Sequence, residues 1–466
     1  MRITLCGASG GEVTGSCYYI ETRNYKLVLD CGVFQGNGYK DAALNADLGP
    51  VQPAELNAAI ISHAHLDHVG RLPLLTKRGM RCPVYATPAT VDFARVLIED
   101  SLKIMEGETF RENKYRAREN RPPVEPLYSR EDAAALVPLV REIAYNQWKQ
   151  ILPGISVRFT DAGHILGSAS VELEVREEGT VRRVTFSADI GRWNTPFLAD
   201  PQLPTGTPDV VFLESTYGDH DHRPQEMTEK AFEEVLREAI WTKQKVLIPA
   251  FAIGRTQQIL FHLASLVRAG NIPEFPIYLD SPMAIKATEL YKRHDELFDE
   301  EAKGLVRRRA LDKDLRNLYY VESSDESRGL NDREGAGVII AGGGMCEGGR
   351  IVHHLRHNVW KHGVHVVMVG FASRGTLGRA LIDGASEVMI HRRKIPVRAK
   401  VTTLGGFSAH AGQSELLRWI DPIIRHKPQV YLTHGEDMQR ECLAVKIRER
   451  YEVEAHTPAL FEIIEV

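Results

Sequence analysis

The sequence predicts an α/β protein in which a parallel sheet flanked by helices is inserted into a second, strand-rich domain. Short strands separated by turns occupy the first third of the chain and return near its end. Between them, apolar strands each run through a Gly- or Pro-bearing turn into an amphipathic helical pattern, as in a parallel sheet covered on its faces. The length, 466 residues, accommodates two or three domains. A hydrophobic content of 43% and a charged content of 26% exclude a disordered or fibrous chain.

Residues 16–20 and 26–29 have β-rich composition, and 58–61 is a buried strand ending at Ser62. Residues 101–150 change to charged, helix-favouring sequence broken by Arg121-Pro-Pro123, which reads as solvated helices around the core. Strands resume at 156–160, 170–175, 183–187 and 209–213. The strand–turn–helix units start from apolar strands at 245–248, 276–279, 337–340 and 365–369, none followed by a Walker A loop. Near Ile395 the style reverts: 397–403 and 429–433 read as strands, and a helix follows Gly435. The economical division is a first domain over 1–216, an insert over 217–395, and the first domain resumed over 396–466.

The balance of 58 Lys+Arg against 62 Asp+Glu, a net charge of −4, excludes a polybasic-tail protein. It leaves room for local basic patches, for which Arg307-Arg-Arg309 and Arg392-Arg-Lys394 are candidates. Cys6, Cys17, Cys31, Cys82, Cys346 and Cys442 are scattered without a CxxC pair, giving neither a disulfide framework nor a thiolate zinc site. No stretch approaches ~18 uninterrupted apolar residues, and the N-terminus has no long apolar run. A soluble cytoplasmic protein with no membrane partner is expected.

The strongest chemical signal is Ser62-His63-Ala64-His65-Leu66-Asp67-His68, directly after a buried strand. His63 and His65, two apart in extended chain, point the same way, and Asp67 and His68 in the next turn can present a second ligand set. Imidazole and carboxylate are natural donors for zinc, and also for manganese or iron. Asp30, His164, Asp189 and His434 each sit just after an apolar strand and near a glycine, where α/β folds place sites. Any one of them alone could be a capping Asp or a satisfied core His. As a set around the 63–68 cluster, they read as a metal site.

These motifs resemble the metallo-β-lactamase fold, and beyond it the β-CASP branch of nucleic-acid nucleases. Glu214 in Leu213-Glu-Ser-Thr-Tyr-Gly-Asp219 matches that branch's motif A. His410 in Gly406-Phe-Ser-Ala-His-Ala411 matches motif B, and His434 in Thr433-His-Gly-Glu436 matches motif C, whose histidine favours the RNA-cleaving members. The resemblance implies a metallo-β-lactamase αββα sandwich carrying an inserted β-CASP α/β domain. It also implies two zinc ions per chain. His63, His65 and His164 would hold the first, Asp67, His68 and His434 the second, and Asp189 would bridge them. Asp30 would fix a ligand imidazole rather than bind metal. The catalytic set would be Asp67 and Asp189 with His410, the general acid, and Glu214, which orients it. The implied reaction is endonucleolytic hydrolysis of single-stranded RNA to 5′-phosphate and 3′-hydroxyl ends, with room for 5′-to-3′ exonuclease activity. Its setting would be RNA processing or decay, as a homodimer or within an RNA-processing complex. The rivals are a dinuclear-zinc hydrolase of small esters or thioesters, and a scaffold that binds RNA without cutting. The large insert and the Glu214/His410 pair speak against the first, and the full ligand set against the second.

Phosphate contacts are expected in the insert. Ala341-Gly-Gly-Gly-Met-Cys-Glu-Gly-Gly-Arg350 follows a strand and opens a helix, so Gly343 and Gly344 with Arg350 could cradle a phosphate. Arg255, Arg374 and Arg379 lie in equivalent turns and could grip phosphates through their forked guanidinium groups. Tight-turn glycines and surface arginines are the plainer alternatives.

Overall fold

The computed structural model describes residues 1–36, 39–307 and 313–466. They form two compact units, one of residues 1–193, 200–221 and 410–466, the other of 194–199 and 222–409.

The first unit contains two seven-stranded sheets among the described residues. One runs in the order Ile463–Glu465, Arg2–Gly7, Cys17–Glu21, Lys26–Leu29, Ala58–Ile60, Val84–Ala86 and Val140–Glu142. The other runs Ala455–His456, Gln429–Thr433, Val210–Glu214, Thr180–Phe186, Ala169–Glu177, Ile155–Asp161 and Lys149–Leu152. Side chains alternate across each strand, so every sheet has an inner and an outer apolar face. Leu27, Leu29, Ala58 and Ile60 meet Phe159, Val171, Phe186 and Phe212 of the facing sheet. Val28 and Ala59 point the other way, against Leu75 and Ile98 of the helices Leu72–Lys77 and Pro88–Arg118. Val211 and Leu213 meet Trp419 and Leu443 of Gln413–Ile424 and Asp437–Tyr451. The result is helix, sheet, sheet, helix. Tyr18 packs edge-on against Phe186 and Phe212, and its hydroxyl bonds that of Thr433 at 2.8 Å, joining the sheets directly beneath His434. Each such buried ring stabilises the fold by roughly 1.5–3 kcal/mol.

Strand direction decides where the polar loops gather. Thr180–Phe186, Val210–Glu214 and Gln429–Thr433 are mutually parallel, and Ile155–Asp161 shares their direction because both it and Thr180–Phe186 run antiparallel to Ala169–Glu177. In the other sheet Lys26–Leu29 and Ala58–Ile60 are parallel. All the candidate ligands therefore follow strand C-termini.

The second unit is a six-stranded parallel sheet in the order Leu318–Tyr320, Ile277–Asp280, Gly337–Gly342, Lys245–Ala250, Val364–Met368, Lys400–Thr403. Gln225–Trp241, Arg255–Arg268 and Pro282–Arg293 cover one face, and Arg350–Asn358 and Leu377–Ile382 the other. Burial on both faces explains the unbroken apolar runs of its strands.

Two expectations need correction. The chain leaves the insert's sheet later than residue 396, because Lys400–Thr403 pairs with Val364–Met368; the first unit resumes at His410. Residues 101–150 are only partly helical. The helix Pro88–Arg118 is capped by Thr87 with Pro88 in its first turn, and it stops before Arg121-Pro-Pro123. Val140–Glu142 and Lys149–Leu152 instead form the edges of the two sheets; only Ile151 among them is buried, so their composition carries little strand signal. Of the basic run at 307–309, Arg308 and Arg309 lie outside the described residues.

Candidate metal centre

The first unit brings all seven expected ligands together. His63 Nε2 and His65 Nδ1 are 3.1 Å apart, and His164 Nε2 lies 3.2 Å from His65 Nδ1. Asp189 Oδ2 sits 3.5 Å from both His63 Nε2 and His164 Nε2. The other oxygen, Oδ1, is 3.4 Å from His68 Nε2 and 3.4 Å from His434 Nε2. His68 Nε2 and His434 Nε2 are themselves 3.4 Å apart, with Asp67 Oδ2 3.5 Å from His434 Nε2. A tetrahedron of donors at zinc-ligand distances has edges of ~3.3–3.4 Å. These spacings match it twice over, with Asp189 contributing one oxygen to each set. Asp189 is buried, and its Oδ1 has no hydrogen-bond partner among the described residues. A buried carboxylate oxygen left in that condition is costly unless a cation completes it. The donor set fits a pair of divalent ions.

Two of the candidate ligands, His68 and His434, are fixed from behind. Asp30 Oδ2 accepts from His68 Nδ1 at 2.7 Å and from Ser62 Oγ at 2.7 Å, while its Oδ1 accepts from Ser62 N–H at 2.8 Å. This is the outer contact that sets a ligand tautomer. The Thr216 hydroxyl lies 3.0 Å from His434 Nδ1 and plays the same part there. Thr216 and the Ser62 and Ser187 hydroxyls carry no signal of their own in the sequence, although all three lie within two residues of a candidate site residue. Two glycines permit the close approach of loops. A Cβ on Gly32 would stand 1.6 Å from Asp67 O, and one on Gly191 would stand 1.9 Å from Gly163 O, next to His164.

The electrostatics follow from buried carboxylates among imidazoles. Burial pushes Asp189 up, but His434, His68 and His63 outweigh it and hold it well below the usual carboxylate range. Burial lowers His68, and Asp189 with Asp30 more than reverses this. Burial, and after it His68, hold His63 well below the ordinary imidazole value, with Asp189 offsetting only part of the shift.

His410 stands beside this cluster. Its Nδ1 is 3.1 and 3.3 Å from the two oxygens of Glu214, and its Nε2 is 4.0 Å from Asp189 Oδ2. Glu214 is buried and accepts further bonds from the N–H groups of Ile190 at 2.8 Å and Thr216 at 3.2 Å; Ser187 Oγ accepts from its own N–H. Burial lowers His410, but the Glu214 carboxylate outweighs it and raises the imidazole above its ordinary value.

The phosphate-binding candidates of the insert divide. Arg350 is engaged internally, donating to Asp280 Oδ1 at 2.6 Å and to the carbonyls of Val321 and Glu322 at 2.9 and 2.6 Å. It therefore holds the fold together rather than waiting for phosphate. Gly343 N–H donates to Ala250 O at 3.1 Å, and a Cβ on Gly344 would meet the Phe251 ring at 2.7 Å, so both glycines are accounted for by the tight turn. Arg255 is buried, with one arm on Gln258 at 2.5 Å, and Arg379 bonds Asp383 at 2.9 and 3.0 Å. Arg374 is exposed.

Comparison with known proteins agrees with the geometry. The chain matches the Metallo-beta-lactamase superfamily over residues 10–219, the Beta-Casp domain over 256–381, and the Zn-dependent metallo-hydrolase RNA specificity domain over 394–458. It is 39% identical to Ribonuclease TTHA0252 of Thermus thermophilus, across 94% of each chain. It is 29% identical to the RNase J-like protein of Methanocaldococcus jannaschii, across 98% of this chain and 97% of that one. Transcription termination factor FttA of the same organism is 30% identical, across 100% of this chain and 72% of its own. A crystal structure of a protein of unknown function from Enterococcus faecalis shares the fold, with a TM-score of 0.52 at 13% identity over 100% of this chain and 99% of that one. The chain belongs to the β-CASP family within the metallo-β-lactamase superfamily. It is a metal-dependent ribonuclease. No helix among the described residues is long and apolar enough to cross a membrane.

Proposed function

We propose that the chain is a dizinc endonuclease that hydrolyses single-stranded RNA to 5′-phosphate and 3′-hydroxyl ends, with 5′-to-3′ exonuclease activity on suitable ends, in cytoplasmic RNA processing or decay. The observation that carries this reading is the double set of tetrahedral-edge spacings sharing the two oxygens of Asp189. His63, His65 and His164 would hold one ion and Asp67, His68 and His434 the other. When bound, the ion pair supplies Lewis acidity that activates water and offsets charge on the phosphoryl oxygens.

The chain's own residues supply the rest. In-line attack on phosphorus breaks the bond to the ribose 3′ oxygen, which leaves needing a proton. His410 is placed to give it, because Glu214 occupies Nδ1 and leaves Nε2 turned toward the ligand cluster. A carboxylate on one ring nitrogen fixes the tautomer and favours the charged, proton-donating form. Asp30 and Thr216 keep His68 and His434 facing inward. Of the four arginines expected to hold phosphate, Arg374 is the exposed one; the chain would act as a homodimer or within an RNA-processing complex.

The test is His410→Ala. Metal content should be unchanged, and cleavage of ordinary RNA should slow by about 10²–10⁴-fold, the worth of a positioned acid. With the scissile 3′ oxygen replaced by sulfur, the leaving group needs no proton and the variant should approach the unmutated rate. Equal slowing on both substrates would end the acid assignment.

A further inference from the structure

The second unit bears a groove of about 480 Å³ lined by Arg356, His357, Trp360, Arg393, Lys394 and Arg398. One wall is the C-terminal end of the helix Arg350–Asn358 and the residues just beyond it. The other is the strand Arg393–Pro396, half of a hairpin with Glu387–Ile390. The walls are tied together where the N–H groups of Arg398 and Ala399 both donate to Val359 O at 2.9 Å. We propose that this groove binds a stretch of single-stranded RNA, with its arginines on phosphates and Trp360 stacked on a base. The proposal rests on the single-stranded RNA reading above and adds a binding site to it.

Charge is the first support. Among the described residues no carboxylate pairs with Arg356, Arg393 or Arg398, and Lys394 meets only Glu387, at 2.9 Å on the open surface. An uncompensated basic cluster on a chain of net charge −4 creates a local field for a polyanion. Helix-dipole complementation would account for Arg356 and His357, which lie in the last helical turn. It does not account for Arg393 on the hairpin or Arg398 after it.

The second support is Trp360, exposed at the groove among these cations. A flat aromatic face beside forked guanidinium groups is the combination that grips unpaired bases and their backbone. Duplex RNA keeps its base faces stacked inside and cannot use the indole.

The experiment is fluorescence anisotropy with the zinc-loaded full chain and a long single-stranded RNA whose phosphorothioate linkages resist cleavage. Combined Arg356→Ala, Arg393→Ala and Arg398→Ala should weaken binding and reduce the slope of log affinity against log salt by about 2, from ~0.7 per phosphate contact. Trp360→Ala should cost about tenfold, and Trp360→Phe should recover most of that. Melting temperature and metal content of every variant serve as the folding control, and these are surface positions. An unchanged salt slope in the triple variant overturns the groove. So does a Trp360→Ala variant that binds like the unmutated chain. Should the unmutated chain bind duplex as tightly as single strand, the single-strand reading itself fails, a result separable from the first two.

Discussion

Both units place buried ionisable residues at the C-terminal ends of strands, but only one of the two clusters is closed by its own hydrogen bonds. In the insert, Asp280 ends the strand Ile277–Asp280 and accepts from Ser327 Oγ, His354 Nε2 and Arg350, each at 2.6 Å. Burial pushes its carboxyl up, and these bonds outweigh it and hold it below the usual range. In the first unit, Asp189 follows Thr180–Phe186 and is just as buried, yet its imidazole neighbours stand 3.4–3.5 Å away. The shorter spacing completes a hydrogen bond, whereas the longer one leaves room for an ion between donors. A strand-end position nominates a site; the spacing around it decides.

The sharpest way to break the comparison is to remove both carboxylates in turn. Asp189→Ala should abolish binding of both ions as read by elemental analysis, and RNA cleavage should fall to assay background. Asp280→Ala should leave metal content alone and destabilise the protein by ~3–5 kcal/mol, the cost of stranding the partners of a buried charge. Urea denaturation with and without chelator measures it. A metal loss in Asp280→Ala, or a retained ion pair in Asp189→Ala, would erase the distinction drawn between the two clusters.

Legibility in the sequence follows the same division. The gathering of the seven candidate ligands and of the Glu214/His410 pair is legible because each lies in a short contiguous motif. The parts of Thr216 and Ser62 are not, since a hydroxyl announces its role only through the atom it faces. Arg350 misled because its position after a glycine loop looks the same whether its guanidinium meets a phosphate or Asp280. Composition puts the return from the insert too early, because Lys400–Thr403 finds its neighbour in Val364–Met368 across the intervening hairpin, a pairing that composition does not register. The edge strands at 140–142 and 149–152 were lost for want of a buried face.

A smaller effect tests the outer contacts of the metal cluster. Asp30→Asn keeps the shape but weakens the acceptor opposite His68 Nδ1. Affinity for the ion held by His68 should drop by about 10–100-fold, measured by chelator competition, while the ion on His63, His65 and His164 stays. Equal loss of both ions would mean that Asp30 supports the loop as a whole rather than one imidazole.

The mildest prediction contrasts buried histidines. Those of the first unit gather around Asp189, whereas His262 of the insert packs against Phe407 at 4.7 Å between ring centres. Burial, and after it the Arg255 guanidinium, pushes His262 down to about 3. Glu229 Oε1 lies 3.4 Å from its Nδ1, but that side chain is 38% exposed and water screens its pull. In the unfolded chain the imidazole returns to ~6.5. Between those values the unfolded state binds a proton that the folded state refuses. Stability contributed by neutral His262 is therefore fully present above pH ~6.5 and is lost as pH falls toward 3, by up to about 1.4 kcal/mol per pH unit. His262→Phe keeps an aromatic ring in the same packing and cannot titrate. Measured in chelated protein, so that metal release does not intrude, its stability should decline less steeply than that of the unmutated chain as pH drops from neutrality. Parallel pH profiles for the two proteins would show that His262 does not stay neutral in the folded insert.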